Sequence, residues 1–359
     1  MTMNEPSQAQ VNIPVIPRGP LMVDVAGLKM TPVEEARLLH PLVGGVILFA
    51  RNFTDRKQLV ALTQRIHQLR SPSLLIAVDH EGGRVQRFKT DGFTALPSMR
   101  RLGLEWLKDP MRAMRMATDV GFVLGAELRA CGVDLSFTPV LDLDFGMSSV
   151  IGDRAFDGDP RVVAMLARAL AQGLAQVGMG ACGKHFPGHG AVAADSHHAI
   201  PRDTRSLKKI LEHDAAPYQW LGDQVIPSVM PAHVIYTKVD AMPAGFSPIW
   251  IKEILRKKLS YDGVVFSDDL TMEGAAVAGD ILARARAALN AGCDMALVCN
   301  RPDLADDLLQ RLSWQSTRRS QERIERLMPK SAAPDWKSLQ KQLAYLEALK
   351  SVQALHERV

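Results

Sequence analysis

The segment KHFPGHGAVAADSHHAI, from Lys184 to Ile200, gathers four of the chain's ten histidines around one aspartate. Two chemistries compete for such a stretch. His185, His189, Asp195, His197 and His198 are all metal-ligand types. Against a metal centre, Pro187 and Gly188 fall between His185 and His189 and break the helix that would set such a pair on one face. The other chemistry is proton transfer. Asp195 and His197 are two apart, so in an extended segment they point the same way. A carboxylate there accepts a hydrogen bond from one imidazole nitrogen and leaves the other free. It also favours the imidazolium, raising the pKa above its usual value of about 6.5. Such a group gives a proton at neutral pH and takes one back, as general acid–base work requires. The plainer alternative is a surface Asp–His pair in a loop.

Two further stretches carry reactive side chains. GVVFSDDLTMEGA ends an apolar run in Asp268 and Asp269. A carboxylate fixed at a strand end can be a nucleophile, a metal ligand or a cap. Strand alternation puts the two on opposite sides, and parity alone does not choose between them. AVDHEGGRVQRF places Asp79 at the end of another run, with Arg87 eight residues on and a tight turn at Gly82-Gly83 between them. An Asp and an Arg together bind sugar hydroxyls through charge-assisted hydrogen bonds. The alternative is a structural ion pair of Asp79 with Arg84 or Arg87. The glycine pair is no phosphate loop, because the GK[ST] ending is missing.

These residues need a scaffold, and the chain repeats one pattern that supplies it. Eight short apolar runs (GPLMVD, GGVILF, LLIAVD, DLSFTPVLD, GACGKH, IPSVMPAH, GVVFSD and MALVCN) each end in a polar or charged residue and lead into an amphipathic helix. Helix starts are marked by a capping box at Thr31-Pro32-Val33-Glu34 and by Asp109-Pro110, Asp159-Pro160 and Ser247-Pro248. Gly132, Gly178 and Gly292 mark helix ends. Near-continuous apolar strands alternating with helices predict a parallel sheet buried on both faces. Eight of them predict a (β/α)8 barrel rather than an open doubly wound sheet, since no GxGxxG follows the first run. The active site of such a barrel lies at the C-terminal strand ends. There stand Asp24, Asp79, Asp142, Lys184, His185, His233, Asp268, Asp269 and Asn300. Helix capping accounts for some of these, but capping has no need of Lys and His.

The expected organisation is a flexible lead over residues 1–14 and one catalytic barrel domain over 15–359. Its helical tail begins at about residue 303, and the stretch from Asp335 packs on the barrel's outside. Hydrophobic content of 47%, charged content of 23% and a net charge of +4 fit a soluble globular protein with a full core. The mixed-sign stretch TRRSQERIER reads as a solvated helix face and not a nucleic-acid footprint. No apolar run reaches the ~18 residues that would span a bilayer, and the N-terminus lacks the apolar region of a secretion signal. Four scattered cysteines form no disulfide framework, which points to the cytoplasm.

Taken together, these stretches resemble the family 3 glycoside hydrolases, and more closely their single-domain bacterial β-N-acetylglucosaminidase branch of peptidoglycan recycling. ILRKKLSYDGVVFSDDLT is similar to the family's active-site signature, which implies Asp268 as nucleophile. GKHFPGHG followed by DSH is similar to the branch's loop, which implies Asp195 and His197 as the acid–base dyad. VDHEGGRVQR, IGDRAF and KH imply Asp79, Arg87, Arg154, Lys184 and His185 as sugar-binding residues. The resemblance covers roughly Ile16 to Pro302. It implies a monomeric retaining enzyme that removes non-reducing β-linked GlcNAc from GlcNAc–1,6-anhydroMurNAc, with or without its peptide. No metal or other cofactor, and no nucleic-acid or membrane partner, is implied. Three rivals remain at this point: a metal-dependent barrel hydrolase, a GlcNAc phosphorylase and a non-catalytic sugar-binding sensor. The segment Phe186–Ile200, rich in Gly and Ala without apolar periodicity, is expected to be loosely anchored and to close over bound sugar.

Overall fold

The computed structural model describes residues 13–193 and 200–355. Eight parallel strands form one sheet: β1 (Leu21–Asp24), β2 (Val43–Leu48), β3 (Leu75–Val78), β4 (Leu135–Ser136), β5 (Cys182–Phe186), β6 (Ser228–Pro231), β7 (Val264–Asp269) and β8 (Met295–Val298). The spatial order is β4-β3-β2-β1-β8-β7-β6-β5. The open edges meet through bridges from Leu135 to Gly180 and from Val140 to Lys184. Backbone hydrogen bonds from Cys182 N to the Thr138 carbonyl (2.7 Å) and from Leu141 N to the Lys184 carbonyl (2.6 Å) complete the seam. The sheet is thereby a (β/α)8 barrel, and each of the eight apolar runs contributes one strand.

Side-chain alternation along the strands divides the core in two. Met22, Ile47, Leu75, Ala77, Cys182, Met230, Val264, Phe266, Met295 and Leu297 pack together inside the barrel. Their neighbours Leu21, Val23, Val46, Ile76, Val78, Val265 and Ala296 point outward, into the larger layer under the helices. This phase, fixed by packing, decides where each polar strand end projects.

The helix signals hold. Thr31 and Glu34 make the reciprocal capping box. Asp109 and Asp159 cap Pro110–Ala130 and Pro160–Gln176. The Ser247 hydroxyl accepts from Trp250 N (3.1 Å) at the start of Ile249–Lys258. Gly132, Gly178 and Gly292 end their helices at positive φ, where a Cβ is disfavoured.

One departure concerns the C-terminal part. TRRSQERIER does form a helix, Arg318–Leu327, but it is not merely a solvated face. Ile324 and Leu327 are buried in the barrel-interior cluster, so the helix plugs the floor. The outer helix of the tail is Leu343–Gln353. Its Tyr345 hydroxyl donates to Glu127 (2.8 Å) in the long helix Pro110–Ala130. At the other terminus, Pro14 and Ile16 pair with Ser71 through backbone hydrogen bonds of 2.9 and 2.8 Å. None of the described helices is long and apolar enough to cross a membrane.

Candidate active site

A cavity of about 510 Å³ opens at the C-terminal strand ends. Because Val264 and Phe266 face the barrel interior, alternation sends Asp268 to the same side and Asp269 to the other. The geometry follows. Both aspartates line the cavity, and one Asp268 oxygen accepts the backbone N–H of Asp269 (2.8 Å). The Asp269 carboxylate is tied down, accepting from Thr271 N (2.9 Å), the Thr271 hydroxyl (2.8 Å) and Cys299 N (3.2 Å). Burial, reinforced by the Asp268 charge, pushes the Asp269 pKa up to about 6 against those hydrogen bonds. The two adjacent carboxylates thus differ: Asp269 is tied to Thr271 and Cys299, whereas Asp268 accepts only the Asp269 N–H among the described residues.

The same alternation delivers Asp79 from β3, after Leu75 and Ala77, and Lys184 from β5, after Cys182. Lys184 Nζ donates to Asp79 (2.8 Å) and pairs with Glu81 (2.7 Å). Arg154, on a short turn at Gly152–Arg154, grips Glu81 with two bonds of 2.8 Å. Arg87 reaches Asp79 at 3.5 Å, whereas Arg84 pairs with Asp153 (3.1 Å) and not with Asp79. Burial opposes the charge on Glu81, but Arg154 and Lys184 outweigh it and hold the carboxyl well below the usual range. Asp79 is likewise lowered, with Lys184 and Arg87 overcoming burial. Lys184 stays cationic for the same reason, since Asp79 and Glu81 overcome its own burial. The result is a fixed set of charged donors and acceptors at one wall, as polyhydroxyl recognition requires.

His185 lies beside this group. Its Nδ1 is 2.7 Å from Asp142, and its backbone N–H donates to the same carboxylate (3.1 Å). His185 overcomes burial to hold Asp142 below its ordinary pKa. An ionised carboxylate only accepts, so Nδ1 carries a proton and Nε2 is left for a ligand.

Asp79, Arg87, Arg154, Lys184, His185 and Asp268 therefore share one cavity. Asp195 and His197 lie outside the described residues. The chain on either side of them is anchored, contrary to the expectation of a loose Phe186–Ile200 loop. Phe186 to Gly190 are buried, and the Tyr236 hydroxyl donates to the Gly188 carbonyl (2.7 Å). Beyond the gap, Arg202–Asp203 pairs with Ile235–Tyr236, and Arg205 clamps Asp203 and Asp214. Of the other polar strand ends, Asp24 binds Arg51 and accepts Asn300 N (2.9 Å), as a cap would. His233 is buried and donates from Nε2 to the Asp269 carbonyl (3.0 Å). Neither lines the main cavity.

Two cavity residues escaped the sequence reading. Glu81 organises both Lys184 and Arg154, and its i, i+2 relation to Asp79 was an available signal. His189 was weighed only as a metal ligand. No group of three or more His, Cys, Asp or Glu suited to a metal occurs among the described residues.

Comparison with known proteins gives this geometry its context. The glycosyl hydrolase family 3 N-terminal domain model matches residues 10–328. The chain belongs to glycosyl hydrolase family 3. A β-hexosaminidase of Bordetella avium is 72% identical over 334 residues, covering 93% of this chain and 95% of that protein. NagZ of Neisseria gonorrhoeae in complex with N-trifluoroacetyl-D-glucosamine superposes with a TM-score of 0.91 at 49% identity, over 96% of this chain and 99% of the other. The same protein in complex with zinc ion gives 0.89 and 48%, with the same coverage. The resemblance seen in the motifs thus holds across the whole barrel, and the protein is a glycoside hydrolase.

Proposed function

We propose that this glycoside hydrolase is a retaining exo-β-N-acetylglucosaminidase acting on GlcNAc–1,6-anhydroMurNAc and its peptide-bearing forms. The observation that carries the reading is the free Asp268 carboxylate, set in one cavity with the Asp79–Glu81–Lys184–Arg154 network. The network binds the hydroxyls of the non-reducing sugar and presents its anomeric carbon to Asp268. In the first step an Asp268 oxygen bonds to that carbon while the glycosidic C–O bond breaks. His197, oriented by Asp195, gives its proton to the departing oxygen. In the second step His197 takes a proton from water. The water oxygen attacks the same carbon, expels the Asp268 carboxylate and leaves GlcNAc with its original configuration. The separation rule for two carboxylates does not apply, because an imidazole stands in for one of them. The N-acetylglucosamine analogue bound by the gonococcal relative supports the choice of sugar. The resemblance to the cell-wall recycling branch supports the aglycone, a cytoplasmic location and action as a monomer without cofactor.

A 2-fluoro or 5-fluoro β-GlcNAc-type glycoside tests the reading. It should trap one covalent adduct, which peptide mapping finds at Asp268. An adduct at Asp269, or none in an enzyme that turns over 4-nitrophenyl β-GlcNAc, overturns the assignment. Turnover should survive exhaustive EDTA treatment and should not be accelerated by phosphate. Loss on chelation that zinc restores would instead favour metal-assisted hydrolysis, and formation of GlcNAc 1-phosphate would favour phosphorolysis.

A further inference from the structure

Among the described residues, His189 is the one cavity imidazole whose ring neither the fold nor the reaction above uses. It is 3% exposed and lines the cavity. Neither Nδ1 nor Nε2 has a hydrogen-bond partner among the described residues. Its backbone, in contrast, is fully committed. The His189 N–H donates to Asp142 (2.7 Å), the carboxylate that also holds His185. The flanking glycines let the chain pack closely against its neighbours. A Cβ on Gly188 would stand 2.7 Å from the Asp214 side chain, and one on Gly190 would stand 1.8 Å from the Leu143 carbonyl oxygen. Behind the loop, Phe186 packs edge-on against Tyr218 and Trp250. The clamp fixes the imidazole edge-on to His185, with ring centroids 6.0 Å apart.

A buried polar group without a partner is costly, on the order of 1–3 kcal/mol. An apolar side chain would fill the same space without that cost, so packing alone gives no reason for a histidine. We propose that His189 is a further sugar-binding residue, hydrogen-bonding a ring hydroxyl of the GlcNAc unit that His185, Lys184 and Asp79 also hold. Burial and the neighbouring His185 both disfavour its protonated form. A neutral imidazole offers one donor and one acceptor. A hydroxyl does the same, so the two groups match in either tautomer.

The inference rests on the proposed glycosidase reading, and one experiment separates the two. Wild-type and His189→Ala enzymes are assayed on 4-nitrophenyl β-GlcNAc and on its 3-, 4- and 6-deoxy analogues. On the parent glycoside the variant should lose roughly tenfold in kcat/KM, the worth of one buried hydrogen bond. On one analogue the loss should nearly vanish, because that substrate already lacks the contact. Equal losses on all three analogues, or no loss on the parent, would overturn the role of His189. His189→Asn keeps one donor and one acceptor. It should recover part of the lost activity with the same single-hydroxyl dependence, and failure to do so counts against the proposal even if the Ala variant is poorly folded. If wild-type enzyme does not turn over the parent glycoside, the reading of function fails. Titration with free GlcNAc then still tests His189: an unchanged Kd in the Asn and Ala variants overturns its role.

Discussion

The two ends of the barrel each carry a polar cavity of similar size and a dense ion-pair network, yet the charges are buried at one end and half open to water at the other. The cavity at the C-terminal strand ends measures about 510 Å³, and one at the opposite end measures about 460 Å³. At that opposite end Arg319, Arg323 and Arg326 converge on Asp262, and Arg323 and Arg256 bind Asp294. Arg319 and Arg326 are about half exposed and Asp262 is 30% exposed. Burial is slight there, and the arginines overcome it to hold Asp262 at a pKa of about 2. At the C-terminal strand ends Glu81 and Lys184 are 2% and 3% exposed. Asp79, the partner of Lys184, and Arg87, the partner of Asp79, still present atoms to the cavity, as do His185, His189 and Asp268. The lower network is a clasp between the floor helix Arg318–Leu327 and the strand loops. The upper one is a preorganised surface that leaves donors and acceptors for a ligand. Charge density alone does not mark a site; buried charge around an unfilled space does.

The sharpest way to break that contrast is to remove one carboxylate from each end. Asp268→Asn should lower kcat/KM on 4-nitrophenyl β-GlcNAc by on the order of 10⁴-fold, as expected for a lost nucleophile, with little change in Tm. Equal activity in wild type and variant would place the reaction elsewhere in the molecule. The next largest effect falls on stability as well as activity. Glu81→Gln leaves Lys184 and Arg154 buried with one carboxylate fewer. Breaking a buried pair costs about 3–5 kcal/mol, which corresponds to a fall in Tm of roughly 5–10 °C. KM should rise with it, because the two cations lose their alignment. A variant with wild-type Tm and KM would mean that Glu81 organises nothing.

At the opposite end the same kind of change should do much less. Asp262→Asn removes a partly exposed carboxylate, and such pairs are screened by water. We expect a loss in Tm of about 2–4 °C that shrinks in high salt, with kcat/KM within about twofold of wild type. A large loss of activity at unchanged Tm would show that the barrel floor communicates with the site.

Which parts of this were legible in the sequence follows from what sets each feature. The strands were legible because runs such as GGVILF and MALVCN carry their burial in their own composition, and all but DLSFTPVLD, of which only Leu135–Ser136 forms strand, lie within a residue or two of the observed strand. The choice between Asp268 and Asp269 was not legible from parity. It depends on the phase of β7, which Val264 and Phe266 set by packing against side chains from other strands. The family resemblance supplied an assignment that the residues alone left open. The anchoring of Phe186–Gly190 was missed because its partners, Asp142 and Tyr236, lie more than 40 residues away along the chain. The floor helix was misjudged for a related reason. Ile324 and Leu327 are two apolar residues in a strongly charged stretch, and only the open barrel end beneath them turns two residues into a plug.

The last expected effect, a pH-dependent one, concerns Asp269, and its sign is informative. In the folded protein its carboxyl has a pKa of about 6, raised by burial and by Asp268; unfolded, it returns to about 3.9. Between those values the folded state holds the proton more tightly than the unfolded chain. The contribution of Asp269 to stability is therefore fully present below about pH 4. It declines as pH rises to about 6 and is level above that. Asp269→Asn fixes the neutral form. The Asn carbonyl can accept from Thr271 N and Cys299 N, and its amide can donate to the Thr271 hydroxyl, so those ties survive. The difference in Tm between variant and wild type should move in the variant's favour from pH 4 to pH 6 and then stay constant, with activity reduced only a few-fold. Taking the difference cancels the opposite trend of Glu81 and Asp79, whose lowered pKa values cost stability only as pH falls below about 4. If the variant instead loses ground as pH rises, the ionised carboxylate of Asp269 is what holds Thr271 and Cys299. The division of labour between the two aspartates would then have to be redrawn.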